Sequence, residues 1–288
     1  MSFVIYPFLH KPSSTFTYVG VDSSTQQCCV IDPVVDFDYH TGYAHYHSVD
    51  VILSFIKEEQ FQVEWILETH AHADHLSAAP YIRQRMGGKI AIGAQIKQVQ
   101  KKFKAIYHLS DEEVSEQGLE FDHLFEDGES FMIGEVAAKV IYTPGHTPDG
   151  ITYIMEDMAF VGDTLFMPDS GSARCDFPGG SAEELYTSIQ KILSLGDHMT
   201  LFMCHDYGCS GQRAKQCKTS VKEQKEKNIH IAEGTTKSNF VKVRQARDRT
   251  LSMPRLIIPS IQVNIRAGAL PKPEDNNVSY LKVPLNTL

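Results

Sequence analysis

His70-Ala71-His72-Ala73-Asp74-His75 places three imidazoles and one carboxylate within six residues. The run follows Val63-Glu64-Trp65-Ile66-Leu67, a largely apolar segment with strand character, after only Glu68-Thr69. Neutral imidazole and carboxylate are the groups that zinc and iron sites use as ligands. One isolated histidine is ordinarily a surface or core side chain. A cluster this dense at a strand end predicts a metal centre. Residues two apart in an extended turn point the same way, so His70 and His72 can converge on one ion. Asp74 and His75 then face an adjacent position.

Three further candidates stand at the ends of other apolar runs. Residues 137–142 read as a strand that ends at Thr143-Pro144-Gly145-His146. Residues 151–155 and 158–161 read as a hairpin, the second arm ending at Gly162-Asp163. Residues 199–203 read as a strand ending at Cys204-His205-Asp206-Tyr207. Between them, 51–60, 80–86 and 182–195 show helical spacing of apolar residues. Apolar strands that deliver polar residues at their C-terminal ends are the pattern of sites on layered α/β folds. Residues 36–49, which include His40, His45 and His47, read as a loop. From residue 211 the character changes: 215–227 and 239–251 are predicted as helices, and 256–265 as an apolar extended segment. This C-terminal part is expected to wrap the core of a single domain, 1–288.

Composition narrows the function classes. The chain has 288 residues, 42% hydrophobic and 22% charged, with a net charge of −9. An acidic chain lacks the basic surface that general nucleic-acid binding requires. The six cysteines form no CxxC pair, which fits a reduced setting. No signal peptide and no membrane-length apolar run is apparent, so a cytoplasmic location is expected.

In order and spacing, residues 69–75, 143–147, 162–164 and His205 resemble the metallo-β-lactamase superfamily. The resemblance implies an α/β (α+β) fold: an αββα sandwich of two mixed sheets flanked by helices. It implies His70, His72 and His146 for a first metal position. For a second it implies Asp74, His75 and His205, with Asp163 between them. Three further segments resemble the persulfide dioxygenases, in particular the bacterial branch also called β-lactamase-like hydrolase. These are Asp169-Ser170-Gly171-Ser172-Ala173-Arg174-Cys175-Asp176-Phe177-Pro178-Gly179-Gly180, then 204–207, and Gln262-Val263-Asn264-Ile265-Arg266-Ala267-Gly268.

That second resemblance implies one non-haem ferrous ion, Fe(II), per chain, held by His70, His146 and Asp163. His72, Asp74, His75 and His205 then become hydrogen-bonding groups around the ligands. The implied reaction oxidises glutathione persulfide with O2 to sulfite and glutathione. The pathway would link it to a sulfurtransferase or a sulfide-oxidising enzyme, and a homodimer is expected. Glutathione carries two carboxylates, which arginine matches with two parallel hydrogen bonds. Arg174, Arg213 and Arg266 are the candidate substrate residues, with Tyr207 near the metal; Tyr207 and Arg174 are also the candidate catalytic side chains. Animal-type members carry a cysteine where this chain has Ala267, so any role of that thiol does not transfer. Cys175 and Cys204 read as small buried hydrophobes. The alternative is a glyoxalase II-type hydrolase of S-acyl glutathione thioesters with two zinc or iron ions bridged by Asp163. A non-catalytic, sulfide-responsive metal protein is a third reading. It requires an incomplete site, and no ligand position is missing.

Overall fold

The strand Thr15–Asp22 is buried at every position. Only a strand covered on both faces of its sheet achieves that. The computed structural model, which describes residues 2–287, shows what covers it. The chain begins with β1 (Phe3–His10), β2 (Thr15–Asp22) and β3 (Gln27–Ile31), then a short ribbon of β4 (Asp36–Asp38) and β5 (Tyr43–His45). There follow α1 (His47–Glu58), β6 (Gln62–Leu67), α2 (Ala79–Met86), β7 (Lys89–Gly93), α3 (Ile96–Tyr107) and β8 (His123–Phe125). The second half opens with β9 (Ser130–Ile133), β10 (Val136–Tyr142), β11 (Ile151–Met155), β12 (Met158–Phe160) and α4 (Ala182–Leu193). It continues through β13 (Thr200–Phe202), the single turn α5 (Gly208–Gly211), β14 (Lys218–Ser220) and α6 (Val221–Lys227). Helices α7 (Lys237–Asp248) and α8 (Ile257–Asn264) close the ordered core.

Two six-stranded sheets result, in the orders β1-β2-β3-β6-β7-β8 and β14-β13-β12-β11-β10-β9. Their inner faces meet in one apolar layer, with Tyr18, Ile31, Trp65 and Leu67 against Val140, Tyr153, Phe160 and Phe202. The outer face of the first sheet (Val19, Val30, Ile66) is covered by Ile52 and Ile56 of α1, Ile82 of α2 and Phe103 of α3. The outer face of the second (Ala159, Leu201) is covered by Leu185 and Ile189 of α4 and Phe240 of α7. The architecture is therefore the αββα sandwich that the resemblance implies. Each fully buried Val, Leu, Ile or Phe contributes about 1.5–3 kcal/mol to holding the layers together. A register shift between Cys28 and Cys29 skips Glu64 on β6, so Val63 and Trp65 serve opposite faces.

Three elements differ from expectation. Residues 256–265 are not extended: they form α8, whose apolar and polar side chains are both buried. The β-branched content suggested a strand, but Pro259 falls in the first turn, where a missing N–H costs nothing. Residues 36–49 hold the β4–β5 ribbon and the start of α1. There Tyr43, His45 and His47 stack in series, with ring centroids 4.9 and 5.5 Å apart. The helix expected from residue 215 starts at Val221, because Lys218–Ser220 pairs with β13 first. No helix among the described residues is long and apolar enough to cross a membrane.

Candidate metal centre

The C-terminal ends of β6, β10, β12 and β13 open onto one edge of the sandwich, and the seven predicted metal-site residues meet there. His70 Nε2 lies 3.9 Å and His146 Nε2 3.6 Å from Asp163 Oδ2. These three residues offer donor atoms that all lie within 4.8 Å of one another. His72, His75, His205 and also Cys204 form a second such group. His205 Nε2 lies 3.3 Å from Asp74 Oδ2 and 3.4 Å from Asp163 Oδ1, which ties the two groups together.

Ring orientation follows from the partners behind each imidazole. The Thr69 hydroxyl donates its single hydrogen to Asp32 Oδ2 at 2.9 Å. It must then accept from His70 Nδ1–H, 3.0 Å away, which leaves the lone pair of His70 on Nε2. His146 Nδ1 donates to the Arg174 carbonyl at 2.6 Å, with the same result. His72 is turned differently: its Nε2 donates to Asp32 Oδ1 at 3.0 Å.

Small residues permit these approaches. Gly162 has φ +51°, and a Cβ there would stand 2.8 Å from Thr69 Oγ1. Gly145 has φ +133°, and a Cβ would stand 2.3 Å from the Leu185 backbone.

Burial and like neighbours favour the neutral form of His70, His72 and His75. His70 and His72 are held well below the usual histidine range, first by burial and then by the surrounding imidazoles. His205 moves upward: burial opposes its charge, but Asp163 and Asp74 outweigh that. Burial pushes the Asp32 carboxyl up to about 6, opposed by its bonds from Thr69.

His70 Nε2, His72 Nδ1, both nitrogens of His75, Asp163 Oδ1 and His205 Nε2 are buried with no hydrogen-bond partner. Orphaned polar atoms of this kind are costly. A cation among them removes the cost, so the donor set fits a metal ion.

Several residues that build the site were not singled out from sequence. Asp32 backs His72 and Thr69, and its one sequence signal is its place at the end of a strand before Pro33. Asp149 Oδ2 accepts from Ala71 N at 2.8 Å. Asn264 of α8 donates to the carbonyls of His72 and His75, each at 2.8 Å, and accepts from Ser77 N. The 262–268 segment thus straps the metal loop from behind. Asp248 of α7 accepts from Cys175 N, which fixes the strand of chain whose Arg174 carbonyl orients His146.

A cavity of about 450 Å³ leads to Asp74, His146 and Asp163 past Phe166, Phe177 and Tyr207. The predicted substrate arginines are placed otherwise than expected. Arg174 lines this cavity, but its Nε and Nη2 are taken by Asp176 and its Nη1 by the Ser252 carbonyl. Arg213 is spread over Asp169 and Asp206 and does not line the cavity. Arg266 is buried away from it, with Nη1 on the Gln262 carbonyl and Nη2 3.9 Å from Glu113. Tyr207 does reach the cavity, its ring stacked 6.0 Å from that of His205.

Residues 12–205 match the family model of the metallo-β-lactamase superfamily. A β-lactamase hydrolase-like protein of Xylella fastidiosa is 48% identical over 98% of this chain, which spans only 64% of that relative's length. Glyoxylase B2 of Dictyostelium discoideum is 47% identical over 99% of this chain and 97% of its own. The mitochondrial persulfide dioxygenase ETHE1 of Homo sapiens is 27% identical, covering 89% of this chain and 85% of its own. Among solved structures, ETHE1 from Myxococcus xanthus superposes with a TM-score of 0.73 at 26% identity, covering 92% of this chain and all of that one.

Proposed function

This chain belongs to the metallo-β-lactamase superfamily, and from that premise we propose that it oxidises a low-molecular-weight persulfide, glutathione persulfide in the first instance, at a single ferrous ion. The reaction balances as RSSH + O2 + H2O giving RSH and sulfurous acid. The observation that carries the reading is the division of the donors. His70, His146 and Asp163 converge without His72, and His146 and Asp163 line the cavity. Two histidines and one carboxylate with open positions suit non-haem iron, and the ion supplies the electron exchange with dioxygen that zinc lacks.

The chain's own residues do the rest. Thr69 and the Arg174 carbonyl hold His70 and His146 with Nε2 forward. His205, close to Asp74 and Asp163, balances their charge. Phe166, Phe177 and Tyr207 wall the approach and keep bulk water from the sulfur.

The second reading, a two-metal thioester hydrolase, is favoured by the free His72 Nδ1 and His75 nitrogens and by the likeness to Glyoxylase B2. One experiment separates them: metal analysis with oxygen-electrode and thioesterase assays on iron-loaded protein. About one iron per chain with persulfide-dependent oxygen uptake and sulfite release is expected. Two ions per chain with thioester cleavage and no oxygen uptake would overturn the dioxygenase reading.

A further inference from the structure

Three arginines border the cavity over His146 and Asp163: Arg174, Arg244 and Arg247. Two are fully engaged. Arg174 is held by Asp176 and the Ser252 carbonyl. Arg244 is buried, with Nε and Nη2 on Asp248 and Nη1 on the Ser172 carbonyl. Arg247 is different. Among the described residues it makes no side-chain hydrogen bond and no ion pair. It is the one cation on this wall whose five donors are free for a ligand.

Its support is rigid. Arg247 sits three residues after Arg244, on the same side of α7. That helix is capped by Thr236 accepting from Asn239 N and anchored by Phe240 against Tyr186 of α4. The buried Arg244–Asp248 pair then bolts it to the Ser172–Cys175 segment. The charge is also felt at His230, which accepts from the backbone of Ser172 in the cavity lining. The His230 imidazole is pushed down to about 4 by burial and by the charges of Arg244 and Arg247. The rest of the lining mixes apolar side chains, Phe166, Phe177, Ile229, Leu251 and Pro254, with Asp169 and Ser172; Asp169 is itself taken by Arg213. One cavity thus brings together metal-site side chains, apolar walls and one free guanidinium.

We propose that Arg247 is the carboxylate anchor of this cavity, selecting thiol-derived substrates that carry a carboxylate at the end remote from the sulfur. This rests on the persulfide reading only for the chemistry at the sulfur end; the anchor itself is a statement about binding. Glutathione-type molecules fit, and persulfides without a carboxylate do not engage the fork. Arg247 was not among the candidate substrate residues read from the sequence; it lies on the C-terminal part expected to wrap the core.

The test uses the full metal-loaded chain as wild type, Arg247→Ala and Arg247→Lys. In oxygen uptake with glutathione persulfide, Arg247→Ala is expected to raise KM about 10–100-fold, the range of a lost charged hydrogen bond, with kcat nearly unchanged. Arg247→Lys should recover part of the loss, since it keeps the charge but not the fork. Calorimetric titration with S-methylglutathione should show the same loss of affinity. Amidating one of the ligand's two carboxylates should weaken binding to wild type and leave Arg247→Ala no worse. If Arg247→Ala binds both acid and amide ligands as wild type does, the anchor is wrong. If binding depends on Arg247 but no persulfide is oxidised, the anchor stands and the dioxygenase reading falls.

Discussion

His70 and His146 each have one ring nitrogen held from behind, by the Thr69 hydroxyl and by the Arg174 carbonyl. His75, a few ångströms away, has neither nitrogen engaged, and His72 gives Nε2 to Asp32. The second half of the cluster is also gripped through its backbone, where Asn264 donates to the carbonyls of His72 and His75, and for His75 this is the only such hold. A ring held in its final tautomer and orientation loses little freedom when an ion arrives. A ring fixed only at its backbone must still choose. The comparison teaches that chemically identical side chains, five residues apart, are prepared for different duties by what stands behind them.

Removing one donor from each half gives the sharpest break. Asp163→Ala should lower iron affinity by more than the roughly 10–100-fold that outer hydrogen-bonding partners contribute. His75→Gln should leave one iron per chain. Metal analysis after dialysis reads both, and equal loss from the two variants would erase the distinction.

The next effect is on stability. Asn264→Ala leaves the carbonyls of His72 and His75 and the amide of Ser77 without their partner. A loss of about 3 kcal/mol is expected in denaturant unfolding, since buried groups left unpaired cost 1–3 kcal/mol each. The triad rings keep their own supports, so iron stoichiometry should hold in the folded fraction.

The smallest effect concerns pH on the side that orients His146. His230 Nδ1 accepts from Ser172 N at 3.0 Å and must be deprotonated to do so. Its folded value, about 4, lies below the ordinary 6.5. The unfolded chain therefore binds this proton more readily, and the contribution to stability is present above about 6.5 and lost as pH falls toward 4. Melting curves of His230→Gln should show a shallower decline over that window than wild type. Identical slopes would remove His230 from the account.

Much of this was legible in one dimension. Strand periodicity and the polar residues that follow each apolar run place His70, His146, Asp163 and His205 at one sheet edge, because a strand end fixes where the next residues go. The helix at 257–264 was not legible, because its buried face is set by α3 and the metal loop and not by its own pattern. The substrate arginines were not legible for another reason. Arg213 and Arg174 looked available beside the motifs, yet Asp169, Asp206, Asp176 and the Ser252 carbonyl consume them.

The amino-acid sequence by itself determined the layered fold and the identity of the donor atoms, since both follow from local periodicity and side-chain chemistry. Tertiary structure alone decided which donors converge as a triad and which guanidinium stays free. Those outcomes depend on through-space partners such as Asp32, Asn264 and Asp248, whose distances from the site no sequence spacing encodes.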